Sequence, residues 1–144
     1  MAYVSNVCLV DLAVPIVHPL VSSVLVAAGY PSPAQDYFDG RINLNDHLIK
    51  DVTSTYIIRV SGHSMEGAGI SDGDELIVNR ALRPKDGSIV VAVLDGELTV
   101  KRLRITAAGV LLQAENPDYP DIVVAELSSL EIWGVASVAL HHLL

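Results

Sequence analysis

The chain has 144 residues, 51% of them apolar and 18% charged, with a single phenylalanine and a single cysteine. That length and aliphatic composition predict one globular domain with a substantial core and exclude a disordered chain. The net charge of −8 argues against direct binding to nucleic acid or to an anionic membrane surface, and the lone Cys8 excludes an internal disulfide framework and fits a reducing, cytoplasmic compartment.

Residues 12–28 are apolar and end in small side chains, in the manner of a secretory core, but no Lys or Arg precedes Arg41, so the basic flank of a signal peptide is missing. Pro15, His18 and Pro19 also cut the run below membrane-spanning length. The expectation is an extended N-terminal arm over 1–28 that leans on its own domain or on a partner subunit, with room for one short helix at 22–27. Pro31 and Pro33 then break the chain, 34–38 reads as one helical turn closed by Gly40, and Asn43 is placed to cap a short helix over 43–50. The 29–54 segment is thus expected to be a linker with little helix. From Thr55 onward the period changes to that of strands, over 55–60, 75–79, 88–94, 97–104, 110–115, 122–125 and 130–140. Asp95-Gly96 is a hairpin turn between two β-branched runs, and Asp72-Gly73-Asp74 and Lys85-Asp86-Gly87 are further turns. Asn116-Pro117 begins a loop. The fold class predicted is mainly β: a domain of short twisted strands over 55–144, with small helices and the arm on its N-terminal side.

The chemistry centres on the stretch between the first two of these strands. Residues 61–69 hold three glycines and two serines. Glycines permit a sharp turn, and a serine in such a turn presents its hydroxyl and neighbouring backbone N–H groups towards one point. Ser64 still needs an activating base. His63 is its neighbour, so on an extended chain the two side chains point apart. His18 and His47 share no motif with an aspartate, which leaves a Ser-His-Asp triad unsupported. His141 and His142 lack the Cys or acidic partners of a metal site, so no metal and no cofactor is expected. Lys101, in the middle of the 97–104 strand, is the other candidate. An exposed lysine, with a pKa of ~10.4, is neutral in only about one molecule in 2,500 at neutral pH. Burial must lower that pKa by roughly 3, about 4 kcal/mol, before the amine serves as a base. The residues alone leave Lys101 open between a solvated strand lysine and a buried base.

Ser61-Gly62-His63-Ser64-Met65, Gly69-Ile70-Ser71-Asp72-Gly73-Asp74 and Thr99-Val100-Lys101-Arg102-Leu103 resemble the motifs of the LexA/UmuD family of Ser–Lys self-cleaving proteins, peptidase family S24. Ser64 and Lys101 stand 37 residues apart (101 − 64), the spacing of that family, and Ala27-Ala28-Gly29-Tyr30 resembles its self-cleavage segment, with Gly29 lying 35 residues ahead of Ser64 (64 − 29). The resemblance covers the chain from about residue 25 to its end. It implies an all-β catalytic domain in which Ser64 is the nucleophile, Lys101 the base, and Ala28–Gly29 the scissile bond. It further implies an oxyanion hole from the backbone N–H groups of His63 and Ser64, with Thr99, Gly62 and Met65 in support. With only 28 residues ahead of the cleavage site and an acidic balance, the chain is expected on the family's short branch and not among its DNA-binding repressors. Members of that branch are accessory subunits of an error-prone translesion DNA polymerase. The partners implied are a second copy of the chain, with the strand at 132–140 as interface, a RecA–single-stranded DNA filament that stimulates cleavage, and a UmuC-like Y-family polymerase.

Two readings of other classes stand beside it. A non-catalytic dimerisation or adaptor module on the same fold would be favoured if Ser64 or Lys101 were missing, and both are present. A signal-peptidase-like serine protease would need a membrane anchor with flanking basic residues.

Overall fold

A computed structural model describes residues 3–9, 20–21, 40–41, 43–125 and 130–144; the side chains of 3, 5–9, 20–21 and 40–41 are not among the features described. The chain divides into two compact units, Met1–Val10 with Asp51–Leu144, and Asp11–Lys50. The predicted scissile pair, Ala28 and Gly29, and the expected turns of helix at 22–27 and 34–38 lie outside the described residues.

In the smaller unit, β2 (Leu20–Val21) pairs antiparallel with β3 (Gly40–Arg41), and α1 spans Leu44–Leu48. Asn43 caps α1 as expected: its side-chain oxygen accepts from the Asn45 N–H at 2.9 Å, and the helix stops where Ile49 takes up an extended conformation.

The larger unit is an antiparallel sheet. Its strands are β1 (Tyr3–Leu9), β4 (Thr55–Ser61), β5 (Glu75–Asn79), β6 (Ile89–Leu94), β7 (Glu97–Thr106), β8 (Gly109–Gln113), β9 (Ile122–Val124) and β10 (Ile132–Leu140). They are ordered β1-β4-β5-β10-β6-β7-β8-β9, and a further pairing of Tyr3 with Thr99 joins β1 to β7. The strands β1-β4-β5-β10-β6-β7 therefore close on themselves as a small ring, with β8 and β9 continuing from the far half of β7. The fold is mainly β, as the strand periodicity predicts. The first residues of the expected arm supply one of the ring's strands, which the sequence does not announce. Alternation fails there because the register slips between Val4 and Asn6.

Two apolar clusters occupy the sheet. One contains Ile58, Val60, Met65, Ile70, Leu76, Val78, Val91 and Val100; the other contains Val90, Ala92, Leu103, Val110, Leu112 and Val135. Adjacent residues such as Val90 and Val91 fall into different clusters because successive strand side chains point to opposite faces. β7 is buried on both faces from Thr99 to Lys101. That double cover sets the environment of the site.

Candidate active site

β4 ends at Ser61, and the chain reverses through Gly62, whose φ of 99° is one that L side chains rarely adopt. Three sets of contacts then fix the segment that follows. The Gly62 N–H donates to Asp72 Oδ1 at 2.8 Å, which ties the turn to the loop before β5. That loop is itself buckled: Asp74 Oδ2 accepts from the Ser71 N–H at 2.8 Å, while Val60 N–H donates to Asp74 O and Gly73 N–H to Val60 O, both at 2.8 Å. The Ser-Asp-Gly-Asp motif thereby acts as the fastening of the serine loop. Met65 is fully buried in the first apolar cluster, and a buried side chain of this size contributes ~1.5–3 kcal/mol, so it anchors the loop from below.

The third fastening is to the exit of β8. Glu115 N–H donates to Ser64 O at 2.8 Å and Gly67 N–H to Glu115 O at 2.7 Å. Gly67 is required by this approach, since a Cβ there would stand 2.5 Å from Glu115 O. Asn116 Nδ2 donates to His63 O at 2.8 Å. Arg102 holds Glu115 from β7, through its Nε to Oε1, and also donates to Gly87 O at 2.7 Å.

Held in this way, Ser64 is fully buried and faces Lys101. Lys101 Nζ lies 3.1 Å from Ser64 Oγ, 3.1 Å from Val100 O and 3.4 Å from Thr99 Oγ1. The lysine is only 1% exposed, and Thr99 2%. Val90 is its cross-strand neighbour. No carboxylate among the described residues forms an ion pair with Lys101; Glu97, on its own strand face, is exposed. Burial without a countercharge pushes the Lys101 amine down from 10.5 to about 8. About one molecule in ten then carries a neutral amine at pH 7, against about one in 2,500 for an exposed lysine. A neutral amine within hydrogen-bond reach of a serine hydroxyl can accept its proton, and the resulting ammonium can return that proton to a leaving amine.

His63 has a different environment. Its ring is exposed and bonded through Nδ1 to Glu66 Oε1 at 2.5 Å. The histidines at 141 and 142 follow β10 and are not within it: His141 bonds Asp74 at 2.5 Å and His142 bonds Glu75 at 2.7 Å. Glu115 and Asn116 are the site residues that sequence reasoning overlooked. Asn116 read only as the start of a loop, and nothing in the local pattern distinguishes it from any other Asn-Pro turn.

The chain matches the Peptidase S24-like family over residues 19–137. It is 43% identical to protein MucA of Salmonella typhimurium over 80% of this chain and 79% of that one. It is 40% identical to protein SamA of Salmonella typhimurium strain LT2, over 79% of each chain. It is also 47% identical to the LexA repressor of Delftia acidovorans, over 85% of this chain but only 53% of the repressor. With the motifs around Ser64 and Lys101 inside the matched span, the chain belongs to the Peptidase S24-like family, that of LexA and UmuD.

Proposed function

We propose that this protein cleaves its own Ala28–Gly29 bond with Ser64 and Lys101, and that the trimmed chain is a UmuD-like accessory subunit of an error-prone, polymerase V-type translesion DNA polymerase. The observation that carries the reading is the 3.1 Å approach of Lys101 Nζ to Ser64 Oγ, both groups being buried. Neutral Lys101 takes the Ser64 proton as Oγ bonds to the Ala28 carbonyl carbon, and the N–H groups of His63 and Ser64 receive the oxyanion. The C–N bond to Gly29 then breaks as the lysine protonates the leaving amine, and water releases the acyl group from Ser64 with Lys101 again as base. Thr99 orients the amine. Because the arm is tethered to its own catalytic domain, its local concentration is high and even weak occupancy of the site suffices.

Stimulation by a RecA–single-stranded DNA filament then amounts to raising the fraction of time the arm spends at Ser64. The protein works in the cytoplasm as a homodimer beside a UmuC-like Y-family polymerase. Among the described residues no helix is long and apolar enough to cross a membrane. One feature of β10 supports self-association. It pairs with β5 through Val135–Leu140 but with β6 only through Ile132–Val135, so 136–140 has one edge with no strand partner among the described residues. That edge borders a shallow groove lined by Ala68, Ile70, Leu76 and Ile89. Unpaired strand edges are where sheets join.

The test is incubation of the purified protein at pH 7 to 10 followed by intact-mass measurement. A single cut between residues 28 and 29, faster at high pH and absent from Ser64→Ala and Lys101→Ala, is expected. Stability of the chain at pH 10, or equal cutting in either variant, would sink the reading.

A further inference from the structure

We infer that Asn116 is a positioning residue for self-cleavage: its side-chain amide fixes the His63–Ser64 peptide and so aims the Ser64 N–H that receives the oxyanion. This rests on the proposed Ser64–Lys101 chemistry. Asn116 Oδ1 accepts from the Asp118 N–H at 3.0 Å, and its own carbonyl accepts from the Tyr119 N–H at 3.1 Å, closing a turn at the β8 exit. With the oxygen end of the amide committed to Asp118, the nitrogen end is the one that faces His63 O, at 2.8 Å. The C=O and N–H of a planar trans peptide point in opposite directions. Holding His63 O against Asn116 therefore turns the Ser64 N–H away from β8. The next peptide is held in the same sense, since Ser64 O accepts from the Glu115 N–H at 2.8 Å. Glu115 fixes the carbonyl side of Ser64 and Asn116 its amide side, so both peptides flanking the nucleophile are clamped from one short segment. Arg102 links that segment to β7, the strand that carries Lys101. Nucleophile and base are thereby referenced to one frame.

The contact is separable from the base. Asn116 has no described bond to Lys101, so its loss should lower the rate of the chemical step without moving the protonation of the amine. Asn116→Asp keeps an oxygen for the Asp118 N–H and removes the donor to His63 O. Asn116→Ser keeps a hydroxyl for the turn and is too short to reach His63. Self-cleavage of the full chain is followed from pH 7 to 10 in wild type and both variants, with circular dichroism to monitor folding. Removing an oxyanion donor costs ~100- to 1,000-fold, and misaiming one should cost about 10-fold or more. The expected result is a plateau rate at least about 10-fold lower in both variants, with the pH midpoint of wild type. A plateau within twofold of wild type in a folded variant overturns the inference, as does a shifted midpoint with an unchanged plateau. Loss of fold in both variants overturns it too, because the contact would then be a structural support only. Absence of cleavage in the wild type removes the Ser64–Lys101 reading as well, which separates the two failures.

Discussion

Lys101 should destabilise the folded protein. Its amine is pushed from 10.5 to about 8 by burial, a difference of roughly 2.5, or about 3.4 kcal/mol. The sign follows from proton binding. Below pH 8 the lysine is protonated in both native and unfolded chains, and the native state bears the full cost of a buried ammonium. Between pH 8 and 10.5 the unfolded chain holds the proton that the native chain has released, so stability rises with pH and then levels off. Lys101→Met keeps an unbranched apolar side chain one atom shorter and removes the charge. In a Ser64→Ala background, set against the lost hydrogen bonds to Thr99 Oγ1 and Val100 O, the net gain at pH 7 should be about 1–3 kcal/mol. At ~3 °C per kcal/mol for a chain of this size, the melting temperature should rise by roughly 3–9 °C. Thermal and urea melts of Ser64→Ala and of Ser64→Ala with Lys101→Met, both unable to cut themselves, measure this without cleavage. Other titrations cancel in the difference. The gap between the two should shrink by about 3 kcal/mol between pH 7.5 and 10.5. A Met variant less stable at pH 7, or a gap that does not change with pH, would refute the account of Lys101 as a desolvated ammonium.

Three further outcomes are expected. The first-order rate of self-cleavage in the wild type should rise about tenfold per pH unit below about 8 and flatten above it, whereas Lys101→Arg, a permanent cation, should stay uncut throughout; a midpoint near 10.5 would place the amine in water. Gly67→Ala drives a Cβ to 2.5 Å from Glu115 O, which should cost ~1–3 kcal/mol in urea unfolding and slow cleavage by displacing the serine loop; wild-type stability would mean the β8 exit gives way freely. Thr99→Val leaves the volume of a residue that is 2% exposed and deletes the hydroxyl 3.4 Å from Lys101 Nζ, so cleavage should slow about 2- to 10-fold while the fold persists. An unchanged rate would show that Val100 O alone orients the amine.

Much of the sheet is legible in the chain because its strands are short β-branched apolar runs and its turns carry their own chemistry. Asp95-Gly96 takes positive φ at both positions, 50° and 79°, as a tight hairpin between β6 and β7 demands. Asn43 caps its helix by a contact two residues away. These are local interactions, and local sequence specifies them. The serine, the lysine and their spacing are legible by resemblance to the family's motifs. β1 is less so, because a slipped register removes the alternation that would announce it, and its pairing with Thr99 joins positions 96 residues apart (99 − 3).

What only the tertiary structure decides is the state of Lys101 and the aim of Ser64. A lysine in a strand reads the same whether one of its faces is wet or both are covered. It is the closing of the ring and the seating of the serine loop that bring Lys101 to 1% exposure and its amine to about 8. Asn116 and Glu115 acquire their contacts in the same way, Asn116 across 53 residues to His63 and Glu115 through its backbone to Ser64. Desolvation and peptide orientation belong to the assembled environment and not to any residue in it, which is why sequence singles out Ser64 and Lys101 and packing sets their surroundings.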